Sequence, residues 1–234
     1  MPRMDFDTAV KLNIYETLAA STHAPTSRQV AAALEASPQD VMAAFDRLHK
    51  KRLLVPEPGD PARIRMAPPF SGVPTAFPVQ VGEKRYFANC VWDAFGVAAA
   101  LGEDAVVDAM DGHSGHPIQL RVQGGRPVPN ACVIHFAVPA ARWWEDIVHT
   151  LATMLLFRSE ETVRRWCDAK RSPIRPLISL DQLWYLATTW YGNRLTVESR
   201  RPAADEMVEI FAKVGLVGPF WDPKADEWDR GSAA

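Results

Sequence analysis

The 234-residue sequence has no CxxC pair among its three cysteines, no apolar run approaching the roughly 18 residues that cross a bilayer, and no excess of charge of one sign. Each absence excludes something. Cys90, Cys132 and Cys167 give no disulfide framework, so each is by default a free thiol in a reducing compartment. Lys and Arg total 26 against 28 Asp and Glu, and the net charge of −2 supplies no chain-wide field for nucleic acid or anionic lipid. Any such contact must be local. The N-terminus, MPRMDFDTAV, carries acidic residues where a signal peptide needs an apolar core, and no repeat or low-complexity tract is present. These features predict a cytoplasmic globular protein with no membrane partner.

What is present is a 47% hydrophobic chain with 8 tryptophans and 19 prolines, the prolines gathered chiefly in 56–78 and 117–139, where they mark joints. Phe6, Val10, Ile14 and Leu18 recur every four residues and predict a first helix over 5–20. Thr26 or Ser27 caps a second helix carrying Val30, Ala31 and Leu34. Ser37, with Pro38 at the first helical position and Asp40 at the third, opens another that runs through Leu48. Leu53–Val55 and Arg63–Met66 then read as strands around a Pro58-Gly59-Asp60-Pro61 turn. Three helices followed by a β-ribbon is the layout of a winged helix. A DNA contact through it would draw on Arg47, Lys50, Lys51 and Arg52, although Val41, Met42, Ala43 and Ala44 in the third helix offer little with which to read base edges.

Six of the twelve residues in 67–78 are Pro, Gly or Ser, which predicts an ordered linker and not a central strand. The expected division is therefore a winged-helix-like domain with linker over 1–78 and a second domain over 79–234. In the latter, β-type runs at 79–81, 84–88, 105–109, 118–122, 132–138 and 152–157 surround a helix from Asn89 to Leu101 that ends at Gly102. Helical patterns return at 160–170, 179–190 and 203–214. Without regular βαβ alternation the class is α+β, a mixed or antiparallel sheet core flanked by helices.

Chemistry concentrates in Asn89-Cys90-Val91-Trp92-Asp93. A thiol and a carboxylate three apart share one helix face, and the unpaired amides of a first turn favour a thiolate. The like charge of Asp93 opposes that ionisation, so the pair reads more naturally as two groups sharing protons. The alternative is a buried structural Cys90 with Asp93 turned to solvent.

Four blocks extend the pattern: the winged-helix-like N-terminus, PFSGVPTAFPV at 69–79, RYFANCVWDAFGVAAALG at 85–102, and LLFRSEETVRRWC at 155–167. In these the chain resembles the organomercurial (alkylmercury) lyases. The resemblance implies protonolysis of carbon–mercury bonds by two cysteines and an aspartate, with no organic cofactor and with small thiols removing the mercuric product. On this likeness Cys90 is the catalytic cysteine and transient mercury ligand and Asp93 the catalytic acid. The family's second cysteine lies just upstream of the Phe-Arg-Ser run, where this sequence has Leu151, Ala152 and Thr153. The second sulfur must then come from an external thiol or another protein cysteine. Cys132 on the CVIHFAVP strand and Cys167 at a helix end are the other protein thiols. Thr153 offers only a hydroxyl, a poor ligand for a soft metal, near the missing sulfur's place.

Two further groups carry possible chemistry. Asp108, Asp111, His113 and His116 have donors for zinc but no thiol, and read alternatively as a solvated turn. Trp143, Trp144, Trp184, Trp190 and Tyr191 line a substrate pocket or simply fill the core, while Trp92, beside the thiol, is expected to contact substrate. The sequence thus supports an organomercurial lyase-like enzyme acting on a small organomercurial or other soft electrophile. The alternatives are a thiol- or metal-responsive DNA-binding regulator and a different cysteine-dependent enzyme.

Overall fold

In the computed structural model, which describes residues 4–225, side-chain caps start the first three helices. Asp5 accepts the Thr8 amide before α1 (Phe6–Ser21), Thr26 and Gln29 cap each other's backbone at α2 (Ser27–Ala33), and Ser37 accepts the Asp40 amide at α3 (Pro38–Lys50). These caps satisfy donors that a first helical turn leaves unpaired. Val10, Ile14 and Leu18 of α1 meet Val41, Phe45 and Leu48 of α3 in one buried cluster. The chain then forms a hairpin of β1 (Val55–Glu57) and β2 (Asp60–Ala67), closing Glu57 on Asp60 around Gly59, whose φ of +81° favours glycine.

Residues 67–78 depart from the expected linker. Ala67 pairs with Phe70 across Pro68-Pro69, and β3 (Phe70–Ser71) pairs with β2 on one side and β5 (Lys84–Ala88) on the other. Both prolines occupy the reversal, so they remove no ladder donor. The ribbon therefore continues into an eight-stranded sheet of order β1-β2-β3-β5-β4-β6-β7-β8, completed by β4 (Phe77–Val81), β6 (Ala105–Met110), β7 (Pro117–Gln123) and β8 (Arg126–Pro127). A three-stranded sheet places β9 (Val133–Phe136) between β10 (Met154–Phe157) and β11 (Leu177–Ser179). Every pairing among the described strands is antiparallel, in keeping with the α+β class.

The helix α4 (Val91–Leu101) packs against strands of both sheets and is buried on every face from Val91 to Ala100, as an apolar helix must be. Gly102 in the left-handed region ends it. Of the later helices, α7 (Leu180–Tyr191) packs on α4, α5 (Ile147–Ala152) and α6 (Glu160–Lys170) pack on β10, and α8 (Ala204–Ala212) packs on α7. The strand expected at 152–157 begins only at Met154, because Asp146 caps α5 and draws Ala152 into the helix.

Helix α4 packs along α7, and Gly96 permits the approach. A Cβ at Gly96 would overlap the Tyr191 ring and lie 2.8 Å from the Cβ of Pro69. Gly96→Ala is expected to cost about 1–3 kcal/mol through overpacking, lowering the melting temperature by roughly 2–12 °C in a calorimetric scan.

Candidate active site

Cys90 ends the extended run after β5 and is the N-cap of α4, where its Sγ accepts the Asp93 amide at 3.4 Å. The extended backbone at Cys90 and the helical turn that follows place the sulfur over the first turn, with Asp93 one turn in. The Asp93 carboxyl is 1% exposed and both of its oxygens are held: Asn89 Nδ2 donates to Oδ2 and the Tyr191 hydroxyl donates to Oδ1, each at 2.7 Å. Asn89 Nδ2 also reaches the Phe70 carbonyl at 3.4 Å, while Asn89 Oδ1 is buried without a partner. Turning that amide over would present Oδ1 to a protonated Asp93, so the site has an acceptor in reserve for the neutral acid.

Burial raises the Asp93 pKa to about 6, even though the bonds from Tyr191 and Asn89 and the nearby Arg194 charge all favour the carboxylate. Burial, and then the Asp93 charge, push the Cys90 thiol well above its ordinary value despite the amide it accepts. The thiolate expected from the first-turn position is therefore outweighed by desolvation. At neutral pH the pair holds a thiol next to a carboxyl that readily gains or loses its proton.

Cys90 is enclosed, with no exposed surface. Asp93 instead opens onto a cavity of about 40 Å³. Tyr15 of α1, Arg52 and Leu53 after α3, Trp144 and Leu151 at either end of the α5 region, and Trp190 and Tyr191 of α7 share its wall with Arg194 and Arg201. Leu151 thus faces the space that Asp93 faces. Thr153 is not part of the wall, because its hydroxyl donates back to the His149 and Thr150 carbonyls at 3.0 Å. Trp92 is enclosed by the rings of Trp190, Trp143, Phe136 and Tyr191 at 5.3–6.4 Å and does not line the cavity; Trp184 packs on Phe95. Sequence reasoning missed the Tyr191 hydroxyl as the Asp93 partner and the arginines as cavity wall. The one local signal was Tyr191 and Arg194, three apart at the end of α7.

The other candidate groups lie elsewhere. Cys132 shares the large core cluster with Cys90 but has Arg158 and Asp111 as its charged neighbours and its amide bonded to Asn130, and Cys167 packs with Phe157 and Val163 in a separate cluster. Asp111 is buried, and its carboxylate accepts the amides of His113, Ser114 and Arg158. It builds a turn whose residues 113–116 are exposed, the solvated turn read from the sequence, and among the described residues no group of three or more His, Cys, Asp or Glu is placed to hold a metal. Arg47 and Lys51 both pair with Asp7, Lys50 pairs with Asp46, and Arg52 faces Trp144. Among the described residues no helix is long and apolar enough to cross a membrane.

Comparison with known proteins gives the same family that the sequence blocks resemble. The solved structure of the mercury-bound form of MerB2 superposes with a TM-score of 0.63 at 19% identity, covering 83% of this chain and 94% of that one, a likeness of fold. No curated protein matches the sequence. The sequence model of the MerB family, described as alkylmercury lyase, matches residues 70–192, just over half of the chain and the stretch that holds Cys90, Asp93 and Leu151. The chain belongs to the alkylmercury lyase family.

Proposed function

We propose that the protein cleaves carbon–mercury bonds by protonolysis, with Cys90 taking the metal and Asp93 carrying the proton. The observation that carries this reading is the Asp93 carboxyl itself, buried beside a thiol, fixed by Asn89 and Tyr191, and poised near pH 6 at the wall of a cavity. Mercury is soft and takes sulfur in preference to oxygen. As Cys90 Sγ bonds to the metal, its proton passes to the Asp93 carboxylate. The resulting acid gives that proton to the carbon as the carbon–mercury bond breaks, leaving hydrocarbon and a Cys90–mercury thiolate. The thiol's hydrogen thus ends on the carbon and no electron is gained or lost. A small thiol then takes the mercury and returns a proton to Cys90. Trp144, Trp190 and Leu151 offer the organic group its apolar contact.

The test is hydrocarbon release from phenylmercury in the presence of excess small thiol, expected from the native protein and abolished in Cys90→Ser. Binding of the compound with no hydrocarbon ever released would overturn the reading. Because Asp93 must begin ionised to accept the thiol's proton, kcat/KM is expected to rise with pH through about 6. A flat profile between pH 5 and 7 would remove Asp93 from that role.

A further inference from the structure

Three guanidinium groups, those of Arg52, Arg194 and Arg201, line the Asp93 cavity, and among the described residues none of them forms an ion pair with a carboxylate. Arg194 is 2% exposed. Its Nη2 donates to the Trp190 carbonyl at 3.1 Å and its Nη1 to Ser199 Oγ at 3.4 Å, while its buried Nε has no partner at all. The guanidinium lies over the rings of Tyr191 and Tyr15, 5.1 and 5.8 Å from their centroids. Behind it the ammonium of Lys11, 4% exposed, is spent on the carbonyls of Thr196, Val197 and Ser199 and adds positive charge to the same region. Arg201 and Arg52 flank Trp144 at 4.8 and 5.5 Å, and burial pulls the Arg201 pKa down to about 10.

Holding a cation such as Arg194 out of water without a carboxylate partner is costly. The carboxylate of Asp93 does not discharge that cost, since its oxygens are taken by Asn89 and Tyr191. Three positive charges against one acid therefore converge on a space with a donor still unused. A cavity needs roughly 10–15 Å³ to hold a water, so about 40 Å³ admits two or three waters or a small polar group, and an aryl ring enters only as the exposed Arg52 and half-buried Trp144 side chains of the wall give way. A guanidinium presents the planar fork that matches a carboxylate. The outer wall is exposed Arg52 with half-buried Trp144 and Arg201, the side on which the carboxylate of a ligand can lie while its other end points toward Asp93.

We infer that this cavity binds the carboxylate of an anionic substrate, so that carboxylate-bearing organomercurials are the preferred class. Which ligand carries the carboxylate rests on the lyase reading; the anion subsite does not. Two measurements separate them. Benzoate is titrated against the full chain with tryptophan fluorescence as readout, Trp144 and Trp190 being in the wall, and benzyl alcohol serves as the neutral control. Hydrocarbon release is compared for 4-carboxyphenylmercury and phenylmercury. The expected result is a saturable benzoate response absent with benzyl alcohol, weakened roughly tenfold or more in Arg201→Gln and in Arg52→Gln. Arg200→Gln, whose native side chain pairs with Glu206 at the surface, should bind benzoate as the native protein does. The kcat/KM preference for the carboxylated compound is expected to be about tenfold and to vanish in Arg201→Gln. No benzoate response, or an equal one with benzyl alcohol, overturns the subsite. Benzoate binding with no hydrocarbon from either compound supports the subsite and removes the lyase reading. Equal release from both compounds without benzoate binding removes the subsite and leaves the lyase.

Discussion

Asparagine at position 93 is expected to yield a protein that is more stable than the native one above pH 6 and that releases no hydrocarbon. The carboxyl's pKa is raised from 3.8 to about 6 because burial penalises its charged form. A raised acid contributes stability that is fully present below its unfolded pKa and is lost as pH rises through the folded one. Two units correspond to about 3 kcal/mol, withdrawn between roughly pH 4 and pH 6. Asp93→Asn carries no charge to desolvate. It keeps the oxygen that accepts from Tyr191, and its new amide can donate to the unpartnered Oδ1 of a turned Asn89. Denaturation at pH 4 and pH 8 should show the variant's advantage growing toward about 3 kcal/mol at the higher pH. Loss of the proton carrier should lower hydrocarbon release about 10²- to 10⁴-fold. An advantage that does not grow with pH would mean that the carboxyl is hydrated; retained turnover would mean that another group delivers the proton.

The same residue shows what the sequence could and could not express. Cys90 and Asp93 are three apart, and the geometry of a first helical turn follows from local spacing. Likewise the Thr26-Ser27 pair, Ser37 with Pro38 and Asp40, and Gly102 mark helix ends within four residues of chain, which is why those ends were legible, while the reciprocal Thr26–Gln29 box came only with the structure. The Tyr191 hydroxyl is 98 residues from Asp93, and no periodicity announces a bond of that reach. Burial works similarly: the amides at the N-terminus of α4 favour a thiolate locally, and only packing on every face of that helix reverses the outcome. The misread linker has a comparable cause. Proline counts in 67–78 exclude a long strand, but a two-residue strand fits between Pro68-Pro69 and the Gly72 turn and joins the ribbon to the main sheet. The aromatic residues were the most ambiguous, since Trp92 enclosed and Trp144 at the cavity wall have the same composition signal and differ only in their neighbours.

Leu151→Cys is expected to have the largest gain of any single change. The family resemblance places a second sulfur just before the Phe-Arg-Ser run, and of the residues there Leu151 faces the cavity while Thr153 bonds to its own helix. Under the proposed protonolysis, the native cavity wall itself offers no second sulfur for mercury. A cysteine on the wall of the cavity acts at an effective concentration of millimolar or above, so against micromolar external thiol it should hold mercury(II) about a thousandfold more tightly. Trimming a 6% exposed leucine should cost about 1–3 kcal/mol of stability, a loss shared by Leu151→Ala. The alanine variant therefore separates lost packing from added sulfur. With phenylmercury and no added thiol, the native protein, Leu151→Ala and Leu151→Cys should each release at most one equivalent of hydrocarbon, and only Leu151→Cys should still hold the mercury(II) when micromolar small thiol is then added. If the cysteine variant binds mercury no better than the alanine one, position 151 does not face the metal bound at Cys90, and the proton and the metal are handled in separate places.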